Sequence, residues 1–442
     1  MKDTIKELKT FLILWSTQSL SQLGSTMTNF ALTLWLYQRT GSALQTALLS
    51  ICSYAPYVLL SIFAGALSDR WDKKKTMLVC DTLAACCSVA VFILLKTESL
   101  MPVHLYLLNA LNGLMNTVQQ PAGDVAMTLI TPKEHYQKTG GMRSLSNSLI
   151  TILNPVLATA VFAFAGLEAV IYTDLLTFAV AFCTLLFGVK IPDVSKVTSG
   201  KEPFKEAVKA GIEYLRKNPL ILWLILFLAG VNLVASAFDA TLPAYVLPRE
   251  NGGEKVLGIV TSCAGIAMLI GSLIATLLPA PKNRIRVIYI TMLISLGTEN
   301  FVLAFAETPF WWCAAQFIGW LLVPVMSTNL DVILRTTIPV DMQGRVYSCR
   351  NTLQFFTIPV GFFFGGLLVD ELCEPMMAAA PAGGMLQTLF GVGKGSGAAM
   401  MMFILGVLGV AICLYFRGVL RKYMVKEQKG AASGNIPLQK LP

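Results

Sequence analysis

Charge is in short supply. Only 13% of the 442 residues are charged, while 55% are apolar and the mean hydropathy is +0.65. Soluble domains carry about 25% charged residues, so this shortage excludes one and describes a chain built into a bilayer. Histidine is scarcer still: His104 and His135 are the two in the chain, and neither has a metal-ligating or acid–base neighbour in the sequence. Cys-x-x-Cys is absent, and the ten cysteines (52, 80, 86, 87, 183, 263, 313, 349, 373 and 413) fall almost entirely in apolar runs. They read as buried small hydrophobes, not as a disulfide or metal framework. A Gly-x-x-x-x-Gly-Lys-Ser/Thr loop is missing, so ATP is not the direct energy source and no cofactor is expected. Ser/His/Asp, Cys/His and metal-ligand constellations are missing too, which excludes the usual enzyme chemistries. After Lys2, Lys6 and Lys9 no small-residue cleavage site precedes the apolar run from Phe11, so that run is expected to be retained.

What the sequence has is apolar length. A bilayer core takes about 20 apolar residues per helix. Twelve stretches answer to that, at 11–37, 43–67, 76–96, 102–128, 143–165, 168–189, 219–245, 256–279, 286–306, 309–334, 346–369 and 397–416. The fold class read from them is an all-α membrane protein of two pseudo-symmetric six-helix bundles, residues 1–189 and 219–416, joined by a linker at 190–218 and followed by a tail at 417–442. Of the 34 Lys and Arg, only Arg39, Lys96, Arg249, Lys255 and Lys394 fall on the face opposite the termini. By the positive-inside rule both termini are then cytoplasmic in a multi-pass plasma-membrane protein. The same bias accounts for the net charge of +9 without nucleic acid, and no nucleic-acid partner is expected.

In the linker, Phe204, Val208, Ile212 and Leu215 recur at helical spacing after Pro203, among Lys201, Lys205, Lys209, Arg216 and Lys217. An amphipathic helix on the inner leaflet is expected, with a solvated linker helix as the alternative. Glu371–Gly397, rich in glycine, reads as a flexible outer loop. The halves repeat weakly: Asp124 and Pro132 match Asp331 and Pro339 at an offset of 207, and Phe30, Thr33 and Tyr37 match Phe238, Thr241 and Tyr245 at 208.

Polar groups in lipid cost free energy unless they are paired or face water. In the first span Gln18, Gln22, Ser25 and Asn29 share one helical face; in the fourth, Asn109, Asn112, Asn116 and Gln119 do. Asn232, Ser236 and Asp239 follow in the seventh, and Gln316, Trp320 and Ser327 in the tenth. Each residue alone reads as interhelical glue. Four stripes on helices three apart predict a wettable central cavity, with Trp15, Trp35, Tyr54, Tyr57, Phe238, Tyr245, Trp312 and Trp320 nearby. A basic cluster in mid-membrane is missing, so the expected cargo is a lipophilic small molecule, neutral or weakly cationic. Of the acids, Asp239 on the polar face of the seventh span is the candidate for proton coupling. Glu299, Asp174 and Asp81 read as structural.

The one dense charged run between apolar spans is Gly65-Ala66-Leu67-Ser68-Asp69-Arg70-Trp71-Asp72-Lys73-Lys74-Lys75. It fits Gly-x-x-x-Asp-Arg-x-x-Arg/Lys-Arg/Lys between the second and third spans, and with twelve spans it makes the chain resemble the major facilitator superfamily. Thr40-Gly41-Ser42-Ala43 and Pro339-Val340-Asp341-Met342-Gln343-Gly344-Arg345-Val346 add a resemblance to macrolide-efflux-type drug:proton antiporters. The fifth-span Gly-Pro signature of many antiporters is present only as Asn154-Pro155. The resemblance implies a conformational latch: Asp69 caps the eleventh helix, Gly65 permits close approach, and Arg70, Lys73 and Lys74 relay charge to Asp124. It also implies a monomer that exports lipophilic molecules in exchange for protons by alternating access. A siderophore, a lipid-like molecule or a nutrient, exported or imported, remains open as the cargo on the same fold.

Overall fold

The computed structural model describes residues 7–192 and 204–432. Among these residues it is entirely helical, with no strand. The helices are α1 (Lys9–Thr40), α2 (Ala43–Arg70), α3 (Lys73–Lys96), α4 (Pro102–Leu129), α5 (Tyr136–Cys183), α6 (Phe204–Lys217), α7 (Pro219–Val246), α8 (Glu254–Leu277) and α9 (Arg284–Phe305). They continue as α10 (Pro309–Leu321), α11 (Val323–Thr337), α12 (Val340–Phe355), α13 (Thr357–Leu368), α14 (Glu374–Ala378), α15 (Met385–Phe390) and α16 (Ser396–Ala432). Among the described residues nine segments are long and apolar enough to cross a membrane. α1 and α4 are not among the nine, although both are long; their polar stripes lower the hydropathy that defines such a segment.

Local chemistry sets the boundaries. Gly41, at φ 61°, ends α1 with its N–H on the Tyr37 carbonyl. The Asp72 carboxylate accepts from the Lys75 N–H to start α3, and Asn283 accepts from the Arg286 N–H to start α9. Pro102, Pro219 and Pro309 occupy first-turn positions, where a missing N–H costs nothing. α5 has 48 residues, about 72 Å at 1.5 Å per residue, more than twice a hydrocarbon core. Gly166 breaks it at φ 74°, between the two spans expected at 143–165 and 168–189.

The second half departs from the expected single spans at two places. The stretch 309–334 is divided at Leu322 into α10 and α11, and 346–369 is divided at Phe356 into α12 and α13. Pro324 and Pro359 lie just beyond the breaks, and each removes a donor that would have bonded four residues back. At the second break the Thr357 hydroxyl donates to the Gln354 carbonyl at 3.1 Å and to the Ala229 carbonyl on α7 at 2.7 Å.

The helices cluster into two compact units. The first comprises residues 1–41 and 48–201, where α1 packs on α5 and α3 on α4. Its core holds Met27, Ala31, Leu36, Val170 and Ile171 at one end and Phe11, Leu14, Ala122, Ala126 and Leu185 at the other. The second comprises residues 42–47 and 202–442, so α2 starts in the second unit and continues in the first. There α7 packs on α13 and α16, α8 on α10, and α9 on α16. The α7–α13 contact runs through Gly361 and Gly365, four residues apart; a Cβ at Gly365 would lie 2.6 Å from the Ala237 carbonyl oxygen.

Three sequence expectations change. α6 belongs to the second unit and packs on α12: Leu215 is 2% exposed, a Cβ at Gly211 would meet the Cys349 sulfur, and the Tyr214 hydroxyl donates to the Thr337 carbonyl at 3.0 Å. On its apolar edge Leu215 is covered by protein while Ile212 is 42% exposed. Pro203 and Lys201 lie outside the described residues, as do the side chains of Phe204, Lys205 and Val208. The stretch 371–397 is built, not loose. It forms α14 and α15, and Glu374 accepts from the N–H groups of Gly395 and Ala398 at the start of α16. Cys86 and Cys183 are exposed, and all ten cysteines are free.

α16, with 37 residues, runs about 55 Å. It outreaches the hydrocarbon core by roughly 25 Å.

Candidate polar sites in the two units

In the first unit the expected stripe on α1 is present: Gln22, Ser25 and Asn29 are exposed and Gln18 is half-buried. Two carboxylates organise it. Asp81 on α3, 9% exposed, accepts from Gln18 Nε2 at 3.5 Å and from Gln119 Nε2 on α4. Asp174 on α5, 4% exposed, accepts from Ser25 Oγ and Ser88 Oγ, both at 2.9 Å. A carboxylate in an apolar surround needs such donors, because the free-energy cost of an unpaired one is several kcal/mol. Three residues expected to face cargo, Gln18, Gln119 and Ser25, therefore also hold acids that were read only as structural.

Between these helices lies a niche of about 80 Å³, lined by Ser25, Asn29, Asp81, Asn112, Asn116 and Asp174 among others. Sites for drug-sized molecules run to about 300–1,000 Å³, so this niche has the size for a few waters and not for cargo. Within it Asn112 keeps a buried amide oxygen without a partner, while Asn116 is exposed.

For the latch residues, the side chains of Gly65, Asp69 and Arg70 lie outside those described. Lys73 donates to the Trp71 carbonyl at 3.1 Å, and Lys74 to the carbonyls of Leu186 and Val189 at 3.0 and 2.7 Å. Those acceptors close the C-terminal end of α5 and the turn after it, where a cation is favoured. Asp124 is paired with Arg143 on α5.

In the second unit three expected cavity residues are spent on packing. Ser236, 3% exposed, donates to the Asn232 carbonyl at 2.6 Å and sits against Gly361. Asn232 donates to the Gln354 carbonyl at 3.1 Å. Gln316 is 2% exposed. The aromatics Trp312, Tyr245 and Phe238 are core as well: the Trp312 indole and the Tyr245 hydroxyl both donate to the Ala306 carbonyl. Helical spacing identifies a shared face; it does not say whether a neighbouring helix covers that face.

Two acids stand apart. Asp239 is exposed although Phe238 and Ala240 beside it are 4% and 3% exposed. Glu299 on α9 is 6% exposed and within electrostatic reach of Asp239. Its Oε1 has no partner, and the other oxygen abuts Gly319, where any Cβ would collide with it. Glu299 was read as structural, and no spacing rule connects α9 to α7.

The remaining polar groups are local. His104 Nδ1 accepts from the Met101 N–H at the start of α4, and His135 lies 2.9 Å from Glu7. Among the described residues no group of three His, Cys, Asp or Glu is placed to hold a metal ion.

Residues 14–362 match the model of a family described as the Major Facilitator Superfamily. The chain is 26% identical over 368 residues to macrolide efflux protein A of Streptococcus pyogenes, covering 82% of this chain and 90% of that protein. It is 26% identical over 360 residues to the multidrug efflux pump Tap of Mycolicibacterium fortuitum, covering 76% and 83%. Over 326 residues it is 26% identical to the enterobactin exporter EntS of Salmonella typhi, covering 72% and 74%. Among solved structures the fold is similar to a point mutant of the nucleoside transporter NupG, with a TM-score of 0.65 at 12% identity, covering 93% of this chain and 99% of that one. It is also similar to a bacterial metal transporter, with a TM-score of 0.63 at 15% identity, covering 92% and 98%.

Proposed function

Because the chain belongs to the major facilitator superfamily, and so is a multi-pass membrane transporter and not an enzyme, we propose that it exports lipophilic small molecules of macrolide type across the plasma membrane by proton antiport. Both termini face the cytoplasm, and the protein acts as a monomer by alternating access between its two units. The observation that carries the antiport reading is the acid pair of the second unit. Asp239 is exposed on an otherwise buried helix, and Glu299 beside it keeps one carboxylate oxygen unpaired.

The acids of the first unit are each tied by two side-chain donors and have nothing free to exchange. Asp239 is the group that takes up a proton from outside and releases it inside as cargo leaves. Each proton carried inward supplies about 2.3 kcal/mol per 100 mV, enough for roughly a 50-fold gradient of a neutral cargo. The exposed amides Gln22, Asn29 and Asn116 of the first unit offer that cargo neutral hydrogen-bond partners without a fixed charge.

Everted membrane vesicles test this reading. Radiolabelled erythromycin should accumulate when a pH gradient is imposed and should leak out on adding a protonophore. Accumulation indifferent to the protonophore would remove proton coupling. Accumulation of a labelled catecholate siderophore in place of erythromycin would move the cargo to the class named for EntS.

A further inference from the structure

The niche between α1, α3, α4 and α5 is too small for cargo, yet its lining is one-sided. It carries two carboxylates, Asp81 and Asp174, among serine, threonine and asparagine side chains, and no Lys, Arg or His. All of it belongs to the first unit. Carboxylates in an apolar surround with no basic neighbour cost several kcal/mol each unless a cation or a proton offsets them.

Oxygens without partners collect in the same niche. Thr28, 6% exposed, lines it, and its Oγ1 has no hydrogen-bond partner. Thr17, Thr26, Thr33 and Thr40 on the same helix each donate to a carbonyl three or four residues back, so Thr28 departs from the habit of its own helix. Thr28 follows Ser25 by three residues, the neighbouring position on one face of α1. Asn112 on α4 also lines the niche, and its buried Oδ1 is unpartnered too. Asp174 accepts Ser25 on Oδ1 and Ser88 on Oδ2. A carboxylate offers about four acceptor positions, so the two serines leave room for a cation. Gly24 keeps α1 close: a Cβ there would lie 3.3 Å from Asp174 Oδ1.

We infer that this niche is a binding site for one sodium ion, held by the Asp174 carboxylate, Thr28 Oγ1 and Asn112 Oδ1, with water completing its shell. The donors are all oxygen, which suits a hard cation and not a soft one. Spacing makes it monovalent. Asp81 lies seven residues before Ser88 on α3, about 10 Å at 1.5 Å per residue, so its carboxylate does not share the ion. Asp81 is met instead by the amide donors of Gln18 and Gln119. One carboxylate balances one positive charge; a divalent ion would keep the second uncompensated. The volume of about 80 Å³ takes a small ion and one or two waters, each about 30 Å³. The ion ties α1, α4 and α5 together through their side chains and neutralises Asp174 without a proton.

Purified protein in detergent, with no cargo and no gradient, tests this. Radiolabelled sodium should bind saturably, at one ion per chain, and choline, too large for the niche, should not compete. Asp174→Asn should abolish binding. Thr28→Val is the second arm, for the case that Asp174→Asn does not fold: it keeps the shape of the side chain, removes the oxygen, and should weaken binding about ten-fold. The melting temperature should be higher in sodium chloride than in choline chloride at equal ionic strength, and Thr28→Val should narrow that difference. Tyr214→Phe in the other unit should keep full binding. Absence of saturable sodium binding, or undiminished binding in Thr28→Val, would overturn the inference and leave the niche to water or to a protonated Asp174. Either result leaves the export reading where it stands, because that reading rests on Asp239 and Glu299.

Discussion

Asp81 and Asp174 in the first unit each accept two side-chain hydrogen bonds, whereas in the second unit Glu299 keeps Oε1 without a partner and Asp239 is exposed. A similar contrast recurs one layer away. Asp124 is paired with Arg143 in the first unit. Both partners recur 207 residues later as Asp331 and Arg350, but there Arg350 donates to Gln354 at 3.0 Å and lies only within electrostatic reach of Asp331. A repeated scaffold therefore carries fixed charges in one copy and looser ones in the other. Fixed carboxylates hold helices together; loose ones are free to change partner or proton. The proposed proton coupling in the second unit rests on this contrast.

The largest effect that would sharpen this contrast is at Asp239. Asp239→Asn should abolish proton-driven export in vesicles while leaving the amount of protein in the membrane unchanged; full export would assign the coupling elsewhere. Glu299→Gln should lower export several-fold and alter its dependence on pH, read as uptake rate across a series of external pH values. Asp174→Ala is the control in the other unit. It strands Ser25 and Ser88, so it should cost about 1–3 kcal/mol of stability, seen as a lower melting temperature, with the shape of the pH profile preserved. If Glu299→Gln and Asp174→Ala gave the same pattern, the distinction between the two units would fail. Arg143→Gln should change stability by less than about 1 kcal/mol, because its ion pair with Asp124 is about half exposed, so any loss of turnover reports a role in cycling. Smallest of all, Tyr214→Phe should cost about 1 kcal/mol through the lost hydrogen bond to the Thr337 carbonyl, measured by thermal unfolding in detergent.

Much of the scaffold was legible because the bilayer imposes simple rules on sequence. Apolar length marked the helices, and Gly166 fell in the gap left between two expected spans. The first-unit stripe of Gln22, Ser25 and Asn29 was also legible, since period alone puts them on one face and that face is open. The same reasoning failed for Ser236 and Gln316, whose face is covered by neighbouring helices. Asp81 and Asp174 were read as structural, but the sequence could not name their partners, which lie 38 to 149 residues away on other helices. The breaks before Pro324 and Pro359 did have a local signal, the missing N–H, but a proline inside an apolar run does not by itself say whether a helix bends or stops. The Arg143–Arg350 repeat was present in the sequence at the offset already read from Asp124 and Pro132, and gains its meaning once the ion pair is seen.

The length of α16 turns it into a lever. Its last turns stand roughly 25 Å clear of the hydrocarbon core and are continuous with a helix packed on α7 and α9. A tilt of about 10° of the second unit would sweep that tip through about 4 Å, a displacement amplified by nothing but rigid geometry. A small fluorophore near residue 432 would then read out such a tilt as a change in polarisation, far from every residue proposed to handle cargo or protons.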